Sequence, residues 1–200
     1  PPIPPAMTQP RPGFADDLDE TLAEAFRLLA RGVADRRSPF HTPTLATIAA
    51  DGTPSLRTLV LRGFDAPLLA LRLHTDARSA KFAELARDPR AAVHGYDPGA
   101  RIQLRLAGEA TLHTNDAEAD AAWAQATANS RLVYAQSSAP GTTVESPQLP
   151  PFTGDARAHF ATLTLRFHAL EFLWLAAAGH RRARFTWDGD ARTGAEWRAP

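Results

Sequence analysis

Apolar and polar positions change rhythm twice along this chain. Leu18, Leu22, Ala25, Phe26 and Leu29 recur every three or four positions, which predicts an amphipathic helix capped at Gly32. The runs "TLATIAA" (44–50), "SLRTLVLR" (55–62) and "LLALRLHT" (68–75) then read as strands. The turn chemistry of "DGTP" and "GFDAP" joins them into an expected antiparallel meander. "DARSAKFAELARDPR" (76–90) reads as one short helix, with Asp76 as N-cap and Pro89 as its stop. Strands "AAVHGY" (91–96) and "RIQLRLAGEATLH" (101–113) follow. In the second, Ile102, Leu104 and Leu106 alternate with Arg101, Gln103 and Arg105, as a half-buried strand requires. Residues 116–136 predict another helical stretch, 137–158 a loop rich in Pro, Ser, Thr and Gly, and 159–175 and 181–187 a return to strands.

Six or seven antiparallel strands with two or three short helices specify a mainly β fold, a barrel with helical insertions. The division expected is a proline-rich arm over 1–13 and a single domain over 14–200.

Composition narrows the function more than the fold. The 200 residues carry 22 basic and 22 acidic side chains, so no overall field favours nucleic acid or an anionic membrane. There is no cysteine, which excludes disulfides, thiolate catalysis and Cys-based zinc sites. No run of 18 apolar residues and no signal-peptide pattern occurs, so a cytoplasmic protein is expected. Nucleophile-elbow, P-loop, dinucleotide and zincin motifs are absent, and no two of the seven histidines stand two or four apart. No metal is expected.

The segment "RTLVLR" (57–62) places a guanidinium at each end of an apolar run, and a charge of that kind is rarely buried unpaired. Downstream, His74 and Thr75 end a strand, and Arg78, Ser79 and Lys81, the single lysine, crowd the start of the next helix. A helix N-terminus prefers an anion, so cations there suggest an anion bound between them. Taken singly, these residues also read as surface arginines, an ordinary cap and a solvated lysine. Taken together, they suggest a phosphate.

The order "TLATIAADGTPSLRTLVLRGFD", "LHTDARSAK", the strand carrying Gln103, "AQSS" (135–138), "FLWLAAAGHRRARF" (172–185) and a terminal "WRAP" resembles the FMN-binding split-barrel proteins related to pyridoxamine 5′-phosphate oxidase. The resemblance covers roughly residues 40–200 and implies a six- or seven-stranded antiparallel split β-barrel that binds FMN. It implies that Arg57 and Lys81 bind the FMN phosphate, with Ser79 close by. The backbone of Arg57, Thr58, Leu59, Val60, Leu61 and Arg62 would line the flavin, with the Arg62 side chain. His74 and Thr75 would sit beside it, and Gln103 would hydrogen-bond it. Gln136, Ser137, Trp174 and Arg184 would come from the second subunit of a homodimer with FMN at its interface.

Departures from the family pattern fall on the substrate side. Arg62 stands where the family has lysine, and Ala80 where it has arginine, although Arg78 could supply that charge. The family's substrate triplet Arg-Leu-His is here His180-Arg181-Arg182, and the residues that grip the substrate phosphate have no clear counterpart around 119–131, with Arg131 and Tyr134 as possible stand-ins. The expectation is an FMN-dependent oxidoreductase with an altered substrate site, His180 and Arg182 being its candidate catalytic residues and a small molecule its substrate. The alternatives are a flavin-binding or flavin-sequestering protein without turnover, a true pyridoxamine 5′-phosphate oxidase, and a ligand-free split barrel. The proline-rich arm and the 137–158 loop are expected to border the flavin's exposed face.

Overall fold

The computed structural model describes residues 11–147, 152 and 154–200. The proline-rich arm therefore lies, up to residue 10, outside the described residues, as does part of the 137–158 loop. The described elements run α1 (Leu18–Ala34), β1 (Thr44–Ile48), β2 (Pro54–Thr58), β3 (Leu61–Asp65), β4 (Ala70–Asp76), α2 (Ala80–Arg87), β5 (Arg90–Asp97), β6 (Ile102–His113), α3 (Ala117–Gln125), α4 (Ala128–Leu132), α5 (Ala156–His159), β7 (Phe160–Trp174), β8 (Arg181–Asp188) and β9 (Ala191–Arg198).

All pairings are antiparallel, and the sheet order is β2-β1-β5-β6-β7-β4-β3, with β8 added to β7 and β9 to β8. The seven strand runs read from the sequence account for eight of the nine described strands, since 55–62 divides into β2 and β3, and β9 is additional. The run 55–62 is not one strand, however. It breaks at Leu59 and Val60, where the Leu59 N–H donates to the Pro43 carbonyl at 3.0 Å instead of to a ladder. β2 and β3 lie at opposite ends of the path, yet Thr58 and Leu61 are three residues apart and at most about 11 Å from each other. The sheet must therefore curl until its two edges approach. No ladder joins them, so the barrel stays split.

The curled sheet encloses Leu45, Leu71, Leu73, Leu104, Leu106, Leu163, Phe167, Phe172 and Phe185, all essentially inaccessible. Each such side chain contributes roughly 1.5–3 kcal/mol by leaving water. Alternation in β6 is as the sequence requires: Ile102, Leu104 and Leu106 are buried and Arg101 and Arg105 exposed. β6 pairs with β7 along its whole length, and the register shifts at Gly108. A Cβ there would meet the Arg166 carbonyl oxygen at 2.0 Å, so only glycine permits the approach.

α1 caps its first turn through Asp17, which accepts from the Glu20 N–H at 2.9 Å, and it buries Ala25, Leu28 and Leu29. The helix runs past Gly32 to Ala34. Gly32 is a packing position, because a Cβ would meet the Phe40 carbonyl at 2.7 Å. The stretch 76–90 is also corrected: β4 continues through Asp76, and α2 starts at Ala80 behind Ser79. The 116–136 stretch divides at Ala126, because the Thr127 hydroxyl caps a separate α4 by accepting from the Ser130 N–H. No helix among the described residues is long and apolar enough to cross a membrane.

Candidate functional site

Arg57 stands opposite Leu45 in the β1–β2 ladder and so points to the inner side of the sheet. Its Nη2 donates to Glu84 Oε2 at 2.8 Å and to Ser55 Oγ at 2.5 Å, and its Nη1 donates to Thr47 Oγ1. Thr47 in turn donates to the same Glu84 oxygen. Burial opposes ionisation of Glu84, but hydrogen bonds from Thr47 and Arg57 outweigh it and hold its pKa below the usual value.

Lys81, one helical turn before Glu84, is half-buried and has no hydrogen bond or salt bridge within the described residues. Burial, and then the Arg57 charge, lowers its pKa. Beside it lie two buried hydroxyls, Thr75 and Ser79, 3.2 Å apart. Ser79 spends its hydroxyl on the Asp76 carbonyl at 2.6 Å and caps none of the α2 amides. The other four α-helices have a side-chain N-cap; α2 has none, and no acid in its first turn. Arg78 is tied up within the protein. It binds the Asp76 carboxylate through Nε and Nη2 and the Gln136 and Ser137 carbonyls through Nη1.

A second cationic recess lies between α1, β3, β4 and the α3–α4 junction. This cavity of about 240 Å³ is lined by Arg36, Arg62, Arg72, His74, Thr127 and Ser130 among others, with no carboxylate in its wall. The Nε atoms of Arg62 and Arg72 are buried and have no partner among the described residues. Among the described residues Arg72 reaches only the Gln125 amide oxygen, at 3.3 Å. Burial, followed by the charges of Arg62 and Arg72, lowers the His74 pKa to about 4, so the ring is neutral near pH 7. Its edge packs on Phe160, whose ring also meets Trp123 and Tyr134. Burial pushes the Tyr134 phenol up to about 12.

The outer face of the sheet carries a third group. Gln103, Leu173 and Arg182 stand in one cross-strand row, and Arg105, Glu171 and Arg184 in the next. Arg182 donates through Nε and Nη2 to Glu171 Oε2, at 3.2 and 2.7 Å, and Arg105 binds the same oxygen. A second cavity of about 240 Å³ is bounded by Glu171, Arg182, Arg184, Arg198 and Ala199. His180 is exposed in the turn before β8, outside that cavity. Trp174 packs edge-on against Phe14 at 5.5 Å.

The structure thus regroups the residues singled out in the sequence. Arg57, Thr75, Ser79 and Lys81 gather at the start of α2, where Arg78 ties down Gln136 and Ser137. Leu61, Arg62 and His74 line the first cavity, Thr58 is exposed, and Leu59 and Val60 form the link between sheet edges. Gln103 joins Arg182 and Arg184 on the outer face. Glu84, Arg36 and Arg72 were not legible as site residues. Arg72 had one signal, its alternation with buried Leu71 and Leu73, which sets it on the His74 face.

Residues 23–114 match the model of the pyridoxamine 5′-phosphate oxidase FMN-binding domain. A pyridoxamine 5′-phosphate oxidase-related, FMN-binding protein from Nostoc punctiforme superposes with a TM-score of 0.72 at 26% identity, over 89% of this chain and 96% of that one. Over residues 23–114 the chain is similar to this FMN-binding family. FMN is its cofactor. The pyridoxine/pyridoxamine 5′-phosphate oxidase of Nitrobacter winogradskyi is 41% identical over 96 residues, 48% of this chain and 44% of that protein. That of Alkalilimnicola ehrlichii is 36% identical over 108 residues, 54% of each. The chain spans about half the length of these curated relatives. PhzG of Burkholderia lata, solved with tetrahydrophenazine-1-carboxylic acid, shares the fold at TM-score 0.73 and 22% identity, over 95% of this chain and 97% of that one.

The matched segment contains Arg57–Arg62, His74, Thr75, Arg78, Ser79, Lys81 and Gln103, but not Gln136, Ser137, Trp174, His180, Arg182 or Arg184. The chemistry at α2 fits a phosphate monoester. An unpartnered, desolvated lysine faces an arginine beside two buried hydroxyls and an uncapped helix start, which together match a dianion.

Proposed function

We propose that the chain is an FMN-dependent oxidoreductase acting on a small anionic substrate, with FMN bound between the subunits of a homodimer. Bound FMN supplies two-electron hydride chemistry, and the protein supplies position and electrostatics. In this reading Arg57 and Lys81 hold the FMN phosphate, the 59–62 backbone runs along the flavin, and Gln103 with Arg184 contacts it from the outer face. Arg182, fixed by Glu171, and His180 meet the substrate.

The carrying observation is the cavity whose described lining carries Arg36, Arg62 and Arg72 and no carboxylate. An anionic group on the ligand offsets that cluster of like charge. The homodimer rests on sheet geometry. Arg57 points to the inner side of the sheet and Gln103 and Arg184 to the outer side, so a second copy is needed to bring such groups onto one cofactor. The outer face offers a row of small side chains, Ala46, Ala92, Ala107 and Ala169, on which another copy can lie flat.

Anaerobic mixing of FMN-loaded protein with phosphorylated and carboxylated amines and alcohols tests the activity. Bleaching of the flavin band by an anionic compound, and not by its neutral analogue, is expected; no bleaching by any of them leaves a flavin-binding protein without turnover. Light scattering at the mass of one chain, with FMN still bound, overturns the dimer. The curated relatives' name favours a second reading, oxidation of pyridoxamine 5′-phosphate itself. The His180-Arg181-Arg182 triplet favours a different substrate.

A further inference from the structure

We infer that Glu84 is a positioning residue for the cofactor: it fixes the Arg57 guanidinium in the orientation that receives the FMN phosphate. The inference rests on the proposed placement of that phosphate at the start of α2.

Glu84 carries negative charge into a recess that should welcome a dianion. By charge alone it belongs elsewhere. Its geometry gives it another role. One oxygen, Oε2, accepts from Arg57 Nη2 at 2.8 Å and from Thr47, which itself accepts from Arg57 Nη1. Ser55 accepts from Nη2 on the same side. Both terminal nitrogens of Arg57 are thereby engaged, while its Nε–H has no acceptor among the described residues. The side chains of Arg57 and Glu84 are only 19% and 11% exposed, so solvent screens the pair weakly. An arginine loses much rotamer freedom when it grips a ligand, and a protein partner that already orders it lowers that cost on binding. Glu84 also stands three residues after Lys81 on α2, so one helical face carries both the free cation and the group that orients the other.

The two roles a carboxylate can have here differ in sign. A mere counter-charge repels the phosphate, and its removal tightens FMN binding. A positioning group holds Arg57 in place, and its removal weakens FMN while leaving riboflavin, which has no phosphate, unchanged. A purely structural role moves both flavins together, along with the stability of the ligand-free protein.

The test titrates apoprotein with FMN and with riboflavin by flavin fluorescence, for wild type, Glu84→Gln, Arg57→Ala, Lys81→Ala and the Arg57→Ala/Glu84→Gln double variant, with ligand-free melting as control. Glu84→Gln should weaken FMN about tenfold, as expected when one charge-assisted hydrogen bond is lost or misaligned, and leave riboflavin unaltered. Added to Arg57→Ala, it should change nothing more, because Glu84 acts through Arg57. Tighter or unchanged FMN binding in Glu84→Gln, equal weakening of both flavins, or full additivity in the double variant overturns the inference. If Arg57→Ala and Lys81→Ala leave the FMN-over-riboflavin ratio untouched, the phosphate placement itself fails.

Discussion

Arg57 and Arg72 both reach into cationic recesses, but their surroundings are opposites. Around Arg57 the protein supplies Glu84, Thr47 and Ser55, so the cation is ordered and largely satisfied without a ligand. Around Arg72, Arg36 and Arg62 it supplies no carboxylate, leaves two Nε–H groups unpaired and keeps His74 neutral. The first arrangement suits a cofactor that stays bound, since little reorganisation accompanies its arrival. The second suits a ligand that comes and goes, because each departure restores an unfavourable cluster of like charge.

The largest expected effect breaks the first recess. Arg57→Ala combined with Lys81→Ala should weaken FMN at least a hundredfold, since each charge-assisted contact is worth about 1.5–3 kcal/mol. The purified variant should be colourless in gel filtration, where wild type elutes yellow. A yellow double variant puts the phosphate elsewhere.

Stability sharpens the contrast. In the ligand-free protein, Arg57→Met should destabilise by about 2 kcal/mol, because a partly buried Glu84 loses its partner. Arg72→Met should be neutral or stabilising by about 1 kcal/mol, because it removes an unpaired cation. Urea denaturation of both reads the sign directly, and equal losses contradict the contrast.

Inorganic phosphate should raise the melting temperature of FMN-saturated wild type. A ligand at a hundred times its Kd adds about 2.7 kcal/mol. Arg62→Met/Arg72→Met should abolish that rise and still hold FMN. An unchanged rise in the double variant removes the second recess as an anion site.

The smallest effect is a pH dependence. His74 has a folded pKa near 4, against an ordinary value of 6.5. Between those values the unfolded chain binds more protons, so stability falls as pH drops from 6.5 toward 4 and is level above. His74→Gln should flatten that slope by on the order of 1 kcal/mol, allowing for the ring's partial exposure. Bound phosphate should shrink the same slope by offsetting Arg62 and Arg72. Identical profiles for variant and wild type exclude His74 as the group that titrates.

Much of this architecture was legible in the sequence where local pattern and tertiary burial agree. β6 shows its alternation plainly, and α1 its helical spacing. The reading failed where the local signal was silent or ambiguous. "RTLVLR" looks continuous because Leu59 and Val60 favour strands, yet those two residues carry the chain from one sheet edge to the other. β9, "ARTGAEWR", was missed because an edge strand exposed on both sides has no alternation to show. Asp76 seemed a better helix cap than Ser79 by residue type alone, but pairing of β4 with β7 extends the strand through it. At the site, the motif residues were visible as motifs. Arg36 and Arg72 were not, because the first follows α1 and the second lies mid-strand, and only the fold brings them to one cavity.

The link at Leu59 and Val60 also governs the order in which the molecule can be made. Arg57, on one side of it, needs β1, which is held in place by β5. Arg62, on the other, needs β3 and β4, and β4 is anchored by β7, with residue 70 paired to residue 166. Contacts so distant in sequence form late and slowly. A growing chain therefore exposes the 57–62 segment for most of its synthesis, and the segment reaches its final shape only after residues beyond 160 have joined the sheet.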